Sequence, residues 1–443
     1  HTTKTYKQSI HHFQSKNSKP NLILANMKKV MIIALSAIFA TTAFAQNPDA
    51  LKQIKKAKAF AEAQQLVAAN EASMTAAEKA QAYNKLVDIA YDKASKGVAT
   101  MQTNRAMEQM GQKANEAVDT KALYNDIYLC LQNALVCDKF DKQPNDKGKV
   151  APKFHNSNAA RLAPLRDHLI TAGQEAQGAD DTATAAKFYG MYAETGVSDL
   201  FKEVIAAAAK NNPEGIGDPY LSEVARVAAV CAFQTKDIEK AMSYTDVVML
   251  DPAKAKEGLQ LQMYFIQQNI ETKQDSLRCL EQLKTLYQKY PADTDAFAQL
   301  AQWYSNLGQK DNQVALINER IANYPNDFTA WAMKGQNDMN ERKYDDAIAN
   351  FKKSVDCPVE DEKQKSLVLT YIGFCYNAKA AETEKYEDQI EILKQSIPFL
   401  EKAREIDPQR ERSNWAYPLF QCYYNVYGEN DAKTKEVEAI QNN

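Results

Sequence analysis

The feature that most constrains the fold of this chain is a residue pattern in 294–358 that recurs after 34 residues. The step from Phe297 to Trp331 is 34 residues, and the step from Ala301 to Gly335 is the same. In each copy an aromatic residue precedes a small residue by four positions, which places both on one face of an α-helix. Such a period predicts that each copy is a small helical unit that buries its apolar face against the next.

These copies resemble the tetratricopeptide repeat (TPR) family, in which about 34 residues form a helix-turn-helix unit. The first copy reads Phe297-x-x-Leu300-Ala301-x-x-Tyr304 and is followed by Pro325. The resemblance implies an all-α fold, a TPR-like solenoid or α-α superhelix, preceded by an Ala-rich helical subdomain.

The resemblance is specific over 255–410 and weak before 215. The chain departs from the family pattern at Gln313, Arg320 and Lys334, where the family usually has Ala, a small residue and Leu.

Recurring prolines predict where the second helix of each pair ends, because a proline cannot continue a helix. These prolines are Pro252, Pro291, Pro325, Pro358 and Pro408. The repeat that begins near Leu369 is longer than the others. Its surplus around 378–388 predicts two longer helices or a protruding loop, and Pro398 predicts a kink in the second helix.

The sequence predicts six segments. They are a non-native or disordered extension (1–26), a secretory signal peptide (27–45), an N-terminal helical subdomain (46–137), a linker (138–156), degenerate TPR-like hairpins (157–218) and a TPR array with C-terminal capping helices (219–443). We expect the last helix pair to be charged on its outer side. Within the subdomain, Thr75 and Glu78 have capping-box spacing. Gly97 is expected to end the helix that follows them, with another helix over 99–116.

Residues 27–45 have the pattern of an export signal. Lys28 and Lys29 precede an apolar run, and Ala43-Phe44-Ala45 is a small-x-small cleavage pattern. The run is shorter than the roughly 20 residues of a spanning helix, which disfavours the alternative of a membrane anchor. Because Gln46 is not a cysteine, a lipoprotein is not predicted. The protein is expected to be exported, to the periplasm or medium, with no membrane span after cleavage.

Removal of 1–45 takes away six lysines, so Lys+Arg falls from 54 to 48 against 57 acidic residues, a net charge of −9. An acidic chain is a poor ligand for nucleic acid, which calls for a basic surface. The seven cysteines lie singly at apolar positions of predicted helices. Buried thiols are therefore expected, with a long-range disulfide or a free thiol as the alternatives.

The sequence contains no constellation that predicts catalysis. Beyond residue 45 the histidines are His155 and His168, and no HExxH, GxSxG or phosphate-binding Gly-Lys-Ser/Thr motif occurs. Acidic pairs such as Asp180-Asp181 and Asp345-Asp346 precede helices, where caps favour them. We therefore predict no enzyme activity, no cofactor and no metal. An (α/α)-barrel hydrolase is the least favoured alternative, because nothing selects two carboxylates from so many.

The resemblance implies a concave groove lined by the first helix of each repeat. The positions that carry over predict a partner-binding set of amide and aromatic residues: Tyr264, Gln268, Gln302, Asn306, Gln336, Asn340, Phe374 and Asn377. Such side chains suit an extended peptide or a partner helix. No basic residue occupies these positions, which disfavours recognition of a free carboxylate.

The predicted function is a non-catalytic interaction scaffold or adaptor of the bacterial cell envelope. The alternative is glycan binding in the manner of SusD-like proteins, which requires exposed aromatic residues. Trp303, Trp331 and Trp415 could supply them, but we expect at least Trp331 and Trp415 to lie in the core.

Overall fold

A computed structural model describes residues 49–441, apart from 114–115, 145–147, 213–214, 216 and 269. Helices form throughout these residues and no strand occurs among them, which confirms the predicted all-α class. None of the described helices combines the length and apolar character needed to cross a bilayer. The predicted extension 1–26, the predicted signal peptide 27–45 and Gln46 lie outside the described residues.

The described residues between 49 and 144 form four α-helices, of which the third is long. The helices are α1 (Ala50–Lys56), α2 (Phe60–Asn70), α3 (Ala76–Gln109) and α4 (Thr120–Asp141). The predicted capping box is confirmed, since Thr75 Oγ1 accepts the amide of Glu78 and the Glu78 carboxylate accepts the amide of Thr75. The prediction that this helix ends at Gly97 was wrong, because α3 runs unbroken for 34 residues.

Gly97 lies inside α3 because of a close helix crossing. A Cβ built at this position would stand 2.8 Å from Cδ1 of Leu123 on α4. The missing side chain therefore lets α3 and α4 approach closely, and this packing outweighs the low helix propensity of glycine.

From residue 155 onward the chain is a series of helices, most of them paired. The single helices are α5 (His155–Leu162) and α8 (Asp199–Asn211). The pairs are α6–α7 (His168–Gly178, Thr182–Gly196), α9–α10 (Leu221–Gln234, Ile238–Val248), α11–α12 (Ala255–Gln267, Lys273–Lys289), α13–α14 (Thr294–Asn306, Lys310–Asn323), α15–α16 (Phe328–Asn340, Tyr344–Asp356), α17–α18 (Lys363–Ala381, Tyr386–Ile406) and α19–α20 (Ala416–Tyr427, Ala432–Gln441). The two helices of a pair pack on each other, and each pair packs on the next one along the chain, as in the predicted TPR-like solenoid.

Two kinds of turn recur along the array. Inside four of the pairs, the middle residue of a three-residue turn has a left-handed backbone conformation, at Asp180, Lys236, Gly308 and Arg342. Between pairs, all five predicted prolines follow the end of a second helix; Pro252 lies four residues beyond Val248, the last residue of α10. Pro291, Pro325, Pro358 and Pro408 each lie two residues beyond the last residue of a second helix.

One core joins the N-terminal helices to the array. Buried side chains from Val87 on α3 to Phe265 on α11 form a continuous cluster that includes helices on both sides of 138–156. The Asp141 carboxylate at the end of α4 accepts the amides of Lys153, Phe154 and His155 at 2.6–3.1 Å. The end of α4 and the start of α5 are thereby tied together.

The long repeat near Leu369 has longer helices than the other pairs. The surplus residues lengthen both helices, to 19 residues in α17 and 21 in α18, and α18 continues through Pro398.

Trp415 is buried as predicted. Trp331 is only half-buried, contrary to the prediction: its indole N–H donates to the Pro325 carbonyl at 2.8 Å and Lys353 lies over its ring.

Candidate partner-binding surfaces

The predicted groove residues lie on the first helices of four successive pairs, α11, α13, α15 and α17. On α13 the residues Phe297, Leu300 and Ala301 are buried against neighbouring helices. Gln302 and Asn306 are exposed, and Gln302 Nε2 donates to Asn306 Oδ1 at 2.8 Å. The buried stripe therefore decides which amide side chains of this helix reach solvent.

The neighbouring helices present similar groups. Gln336 and Asn340 are exposed on α15. On α11, Tyr264 is half-exposed and its ring packs against Phe233, with 5.9 Å between ring centroids. Gln268 follows the last residue of α11 and is half-buried.

Asn377 on α17 is engaged with the last helix pair. Its Nδ2 donates to the Pro418 carbonyl at 3.0 Å and to Gln421 Oε1 at 3.3 Å, and its Oδ1 accepts from the Cys422 thiol. Asn377 therefore joins α17 to α19 in this structure. Phe374, one turn earlier, remains partly exposed.

An aromatic face on α19 escaped sequence analysis. The helix contains no charged residue, so the expectation of a charged outer side was wrong for this helix. Tyr417, Tyr424 and Tyr427 are about half exposed, and the rings of Phe420 and Tyr424 pack at 5.8 Å. The spacing of three or four residues between these aromatic side chains was the sequence signal that could have identified this face.

A large cleft lies where the turns between repeats converge. Its volume is about 1390 Å³. Four inter-repeat segments line it, together with the first residues of α11, α13, α15 and α17: Asp246–Leu259, Lys289–Asp295, Arg320–Thr329 and Pro358–Gln364 contribute the lining residues. None of the eight predicted binding residues named above lines it, because those eight lie further along the helices.

The floor of this cleft includes a buried arginine. Arg320 is 2% exposed, and its Nε donates to Asp327 Oδ2 at 2.7 Å. Its guanidinium also donates to the carbonyls of Pro291 and Ala292 and to Thr294 Oγ1, and it lies 4.1 Å from the Tyr324 ring centroid. One side chain thus fixes two successive inter-repeat turns.

Two titratable side chains from the sequence analysis, His155 and Asp181, make structural contacts. His155 Nδ1 lies 2.5 Å from Asp138 Oδ1. Burial lowers the pKa of His168. Asp181 caps α7 by accepting the amide of Thr184. Within the described residues, no group of three or more His, Cys, Asp or Glu side chains is placed to hold a metal ion.

Comparisons with known proteins describe the same helical architecture only loosely. No protein-family model matches the sequence, and no curated protein matches it significantly. Solved structures similar in part include the human IFIT1 dimer with m7Gppp-AAAA (17% identity, 74% of this chain and 73% of that chain, TM-score 0.34). They also include the TPR domain of P58(IPK) (14%, 80% and 97%, 0.18) and the APC/C hetero-tetramer Cut9-Hcn1 (10%, 89% and 84%, 0.21). At these scores the fold assignment rests on the helix pairs themselves.

Proposed function

We propose that this protein is a non-catalytic interaction scaffold that binds a peptide or helix of a partner protein along the first-helix face. Repeat arrays present extended surfaces through rigid helix spacing, and such a function needs no reactive group. The predicted binding set is Tyr264, Gln268, Gln302, Asn306, Gln336, Asn340, Phe374 and Asn377.

The observation that carries this proposal is the exposure of large aromatic side chains on first helices. Tyr264 on α11, Phe374 on α17, and Tyr417 and Tyr424 on α19 all reach solvent. Aromatic residues are enriched where proteins bind proteins, because a rigid ring contributes a large contact area at low entropic cost. The exposed amides between them can donate to and accept from a peptide backbone.

The export pattern in 27–45 supports the further proposal that the scaffold acts in the periplasm of a bacterial envelope. That segment lies outside the described residues, so the support comes from the sequence alone. Fractionation of cells that express the chain with a C-terminal tag tests it. A cytoplasmic, unprocessed protein would contradict the proposal.

A photo-crosslinking residue placed at Gln302, and separately at Gln336, tests the groove in cells. Both positions are exposed on first helices, whereas the control position, Lys352, is exposed on the second helix α16. We expect one recurrent protein adduct at both groove positions, identified by mass spectrometry, and none at Lys352. Absence of a protein adduct at both groove positions would overturn the proposal.

A further inference from the structure

The cleft between the inter-repeat turns has an apolar wall that the chain leaves uncovered. Leu250 lies in this wall and is 66% exposed, and Met249, Tyr290, Tyr324 and Val359 line the same cleft. When a ligand covers a leucine this exposed, the removal of its apolar surface from water stabilises the complex. The wall therefore favours a ligand with apolar side chains.

The size of the cleft indicates the class of ligand. Pockets for small molecules measure about 300–1,000 Å³. The present cleft, at about 1390 Å³, is larger and is open along four successive turns. These dimensions suit a segment of polypeptide better than a metabolite.

The two walls of the cleft are bridged by an ion pair between distant parts of the chain. Lys256 at the start of α11 lies 3.5 Å from Glu360, which precedes α17. Both side chains are exposed, so the pair contributes little to stability. It does show that the turns on either side of the cleft approach within reach of two side chains.

The charges that line the cleft do not balance. Lys256 pairs with Glu360, Lys289 with Asp246 at 2.9 Å, and Arg320 with Asp327 at 2.7 Å. Among the described residues, no lysine or arginine forms an ion pair with Asp293 or Asp295, the other two charged residues that line the cleft.

The hydrogen bonds of these two carboxylates fix their place at the start of α13. Asp293 Oδ1 caps α13 by accepting the amide of Ala296, and Asp295 Oδ2 accepts from Gln260 Nε2 at 3.4 Å. Both carboxylates lie at the amino-terminal end of α13. The cleft therefore carries a surplus of negative charge beside an apolar wall.

We infer that this cleft is a second binding site, distinct from the surface formed by the eight predicted groove residues, for a partner segment that combines apolar side chains with Lys or Arg. The apolar side chains cover Leu250 and its neighbours, while the cation pairs with Asp295. Charge complementarity of this kind selects the partner and raises the association rate. A phosphate-bearing ligand is disfavoured by the same surplus carboxylates.

Selection from a phage-displayed library of random peptides of about twelve residues, on the purified full chain, provides the probe. Enriched peptides are synthesised, and their affinities are measured by fluorescence polarisation. The variants are Leu250→Glu and Asp295→Lys in the cleft and Gln336→Lys in the groove, each checked for an unchanged melting temperature.

We expect enriched peptides that pair Lys or Arg with large apolar residues. Leu250→Glu and Asp295→Lys each weaken binding about tenfold, whereas Gln336→Lys leaves the affinity unchanged. Selection repeated on Asp295→Lys is expected to shift the enriched peptides away from basic residues.

Three results would overturn the inference: no enrichment, enrichment without basic residues, or affinities insensitive to both cleft substitutions. Loss of binding in Gln336→Lys alone would assign the peptides to the groove and refute the cleft. Because the crosslinking test probes Gln302 and Gln336, failure of the groove proposal would leave the result at Leu250 and Asp295 interpretable.

Discussion

Arg320 Nε donates to Asp327 Oδ2 at 2.7 Å, and both side chains are buried. The two residues lie on either side of the turn that joins α14 to α15. Arg320 also reaches back to the carbonyls of Pro291 and Ala292 in the preceding turn. A position that is small in the resembling family thus carries a side chain that couples two repeats.

Replacement of Arg320 tests this coupling. Arg320→Ala is expected to lower the free energy of unfolding by about 3–5 kcal/mol, because Asp327 and two carbonyls lose their buried donor. Urea denaturation followed by circular dichroism measures the change. The matched control is Lys402→Ala, which breaks an exposed pair with Glu405 and is expected to cost no more than about 1 kcal/mol. Equal effects of the two substitutions would refute the coupling.

Gly335 provides a second test, of how closely the helices of one pair approach. A Cβ at this position would stand 2.6 Å from Cδ1 of Phe351, which is fully buried on α16 and cannot move freely. Gly335→Ala is therefore expected to destabilise the chain by about 1–3 kcal/mol in a thermal or urea unfolding experiment.

Gly178, at the end of α6, is the control for this test, because a Cβ there meets no atom within 4 Å. Gly178→Ala should be neutral or stabilise the chain by up to about 1 kcal/mol, through helix propensity alone. A destabilisation of the same size at both glycines would show that crowding against Phe351 is not the cause.

The period of 34 residues and the inter-repeat prolines predicted much of the array correctly, because both are local signals. The small residues Ala301 and Gly335 mark the helix faces that pack closely within a pair. Pro325 marks where the second helix of a pair ends. The end expected at Gly97 was wrong because tertiary packing against Leu123, which sequence reasoning did not weigh, holds that glycine inside a helix.

The surfaces were less accessible to sequence reasoning than the fold. The cleft is assembled from four turns that are far apart in the chain, so no local pattern marks it. From the sequence, Arg320 was recognised only as a departure from the small residue that the family usually has. Its contacts could not be predicted, because the carbonyls of Pro291 and Ala292 are almost thirty residues away in the chain. The eight predicted groove residues stay a prediction, and only a binding experiment tests them.

The cysteines allow a chemical test of the core. All seven are buried and none forms a disulfide. Burial raises the pKa of every one of these thiols, to about 12 for Cys130, Cys137 and Cys375. Because the thiolate is the reactive species, native protein should be inert to a thiol reagent at about pH 8. In denaturant without reductant, all seven should react. Fewer than seven would reveal a disulfide, and rapid reaction of the native chain would contradict the burial.

The last prediction concerns acid stability and Asp407. This carboxylate lies after α18 and is fully buried, and it accepts the amides of Glu411, Arg412 and Ser413 at 2.8–3.0 Å. Burial opposes ionisation, but the three backbone donors outweigh it, and the pKa of Asp407 is lowered. A lowered pKa means that the ionised group stabilises the folded state above its unfolded pKa of about 3.9. That contribution is lost as the pH falls through the folded value.

Asp407→Asn removes the ionised acceptor with little change of shape. The substitution is expected to lower the free energy of unfolding at neutral pH by about 1–3 kcal/mol, because the hydrogen bonds to a charged group become weaker. It should also flatten the pH dependence of stability below about pH 4, where the wild-type chain loses the contribution of Asp407. Urea denaturation from pH 7 down to pH 3 measures both effects. Asp345→Asn, at an exposed carboxylate on α16, is the control and should leave the curve nearly unchanged. A parallel shift of the Asp407→Asn curve, with the wild-type slope retained in acid, would show that the group does not titrate with folding.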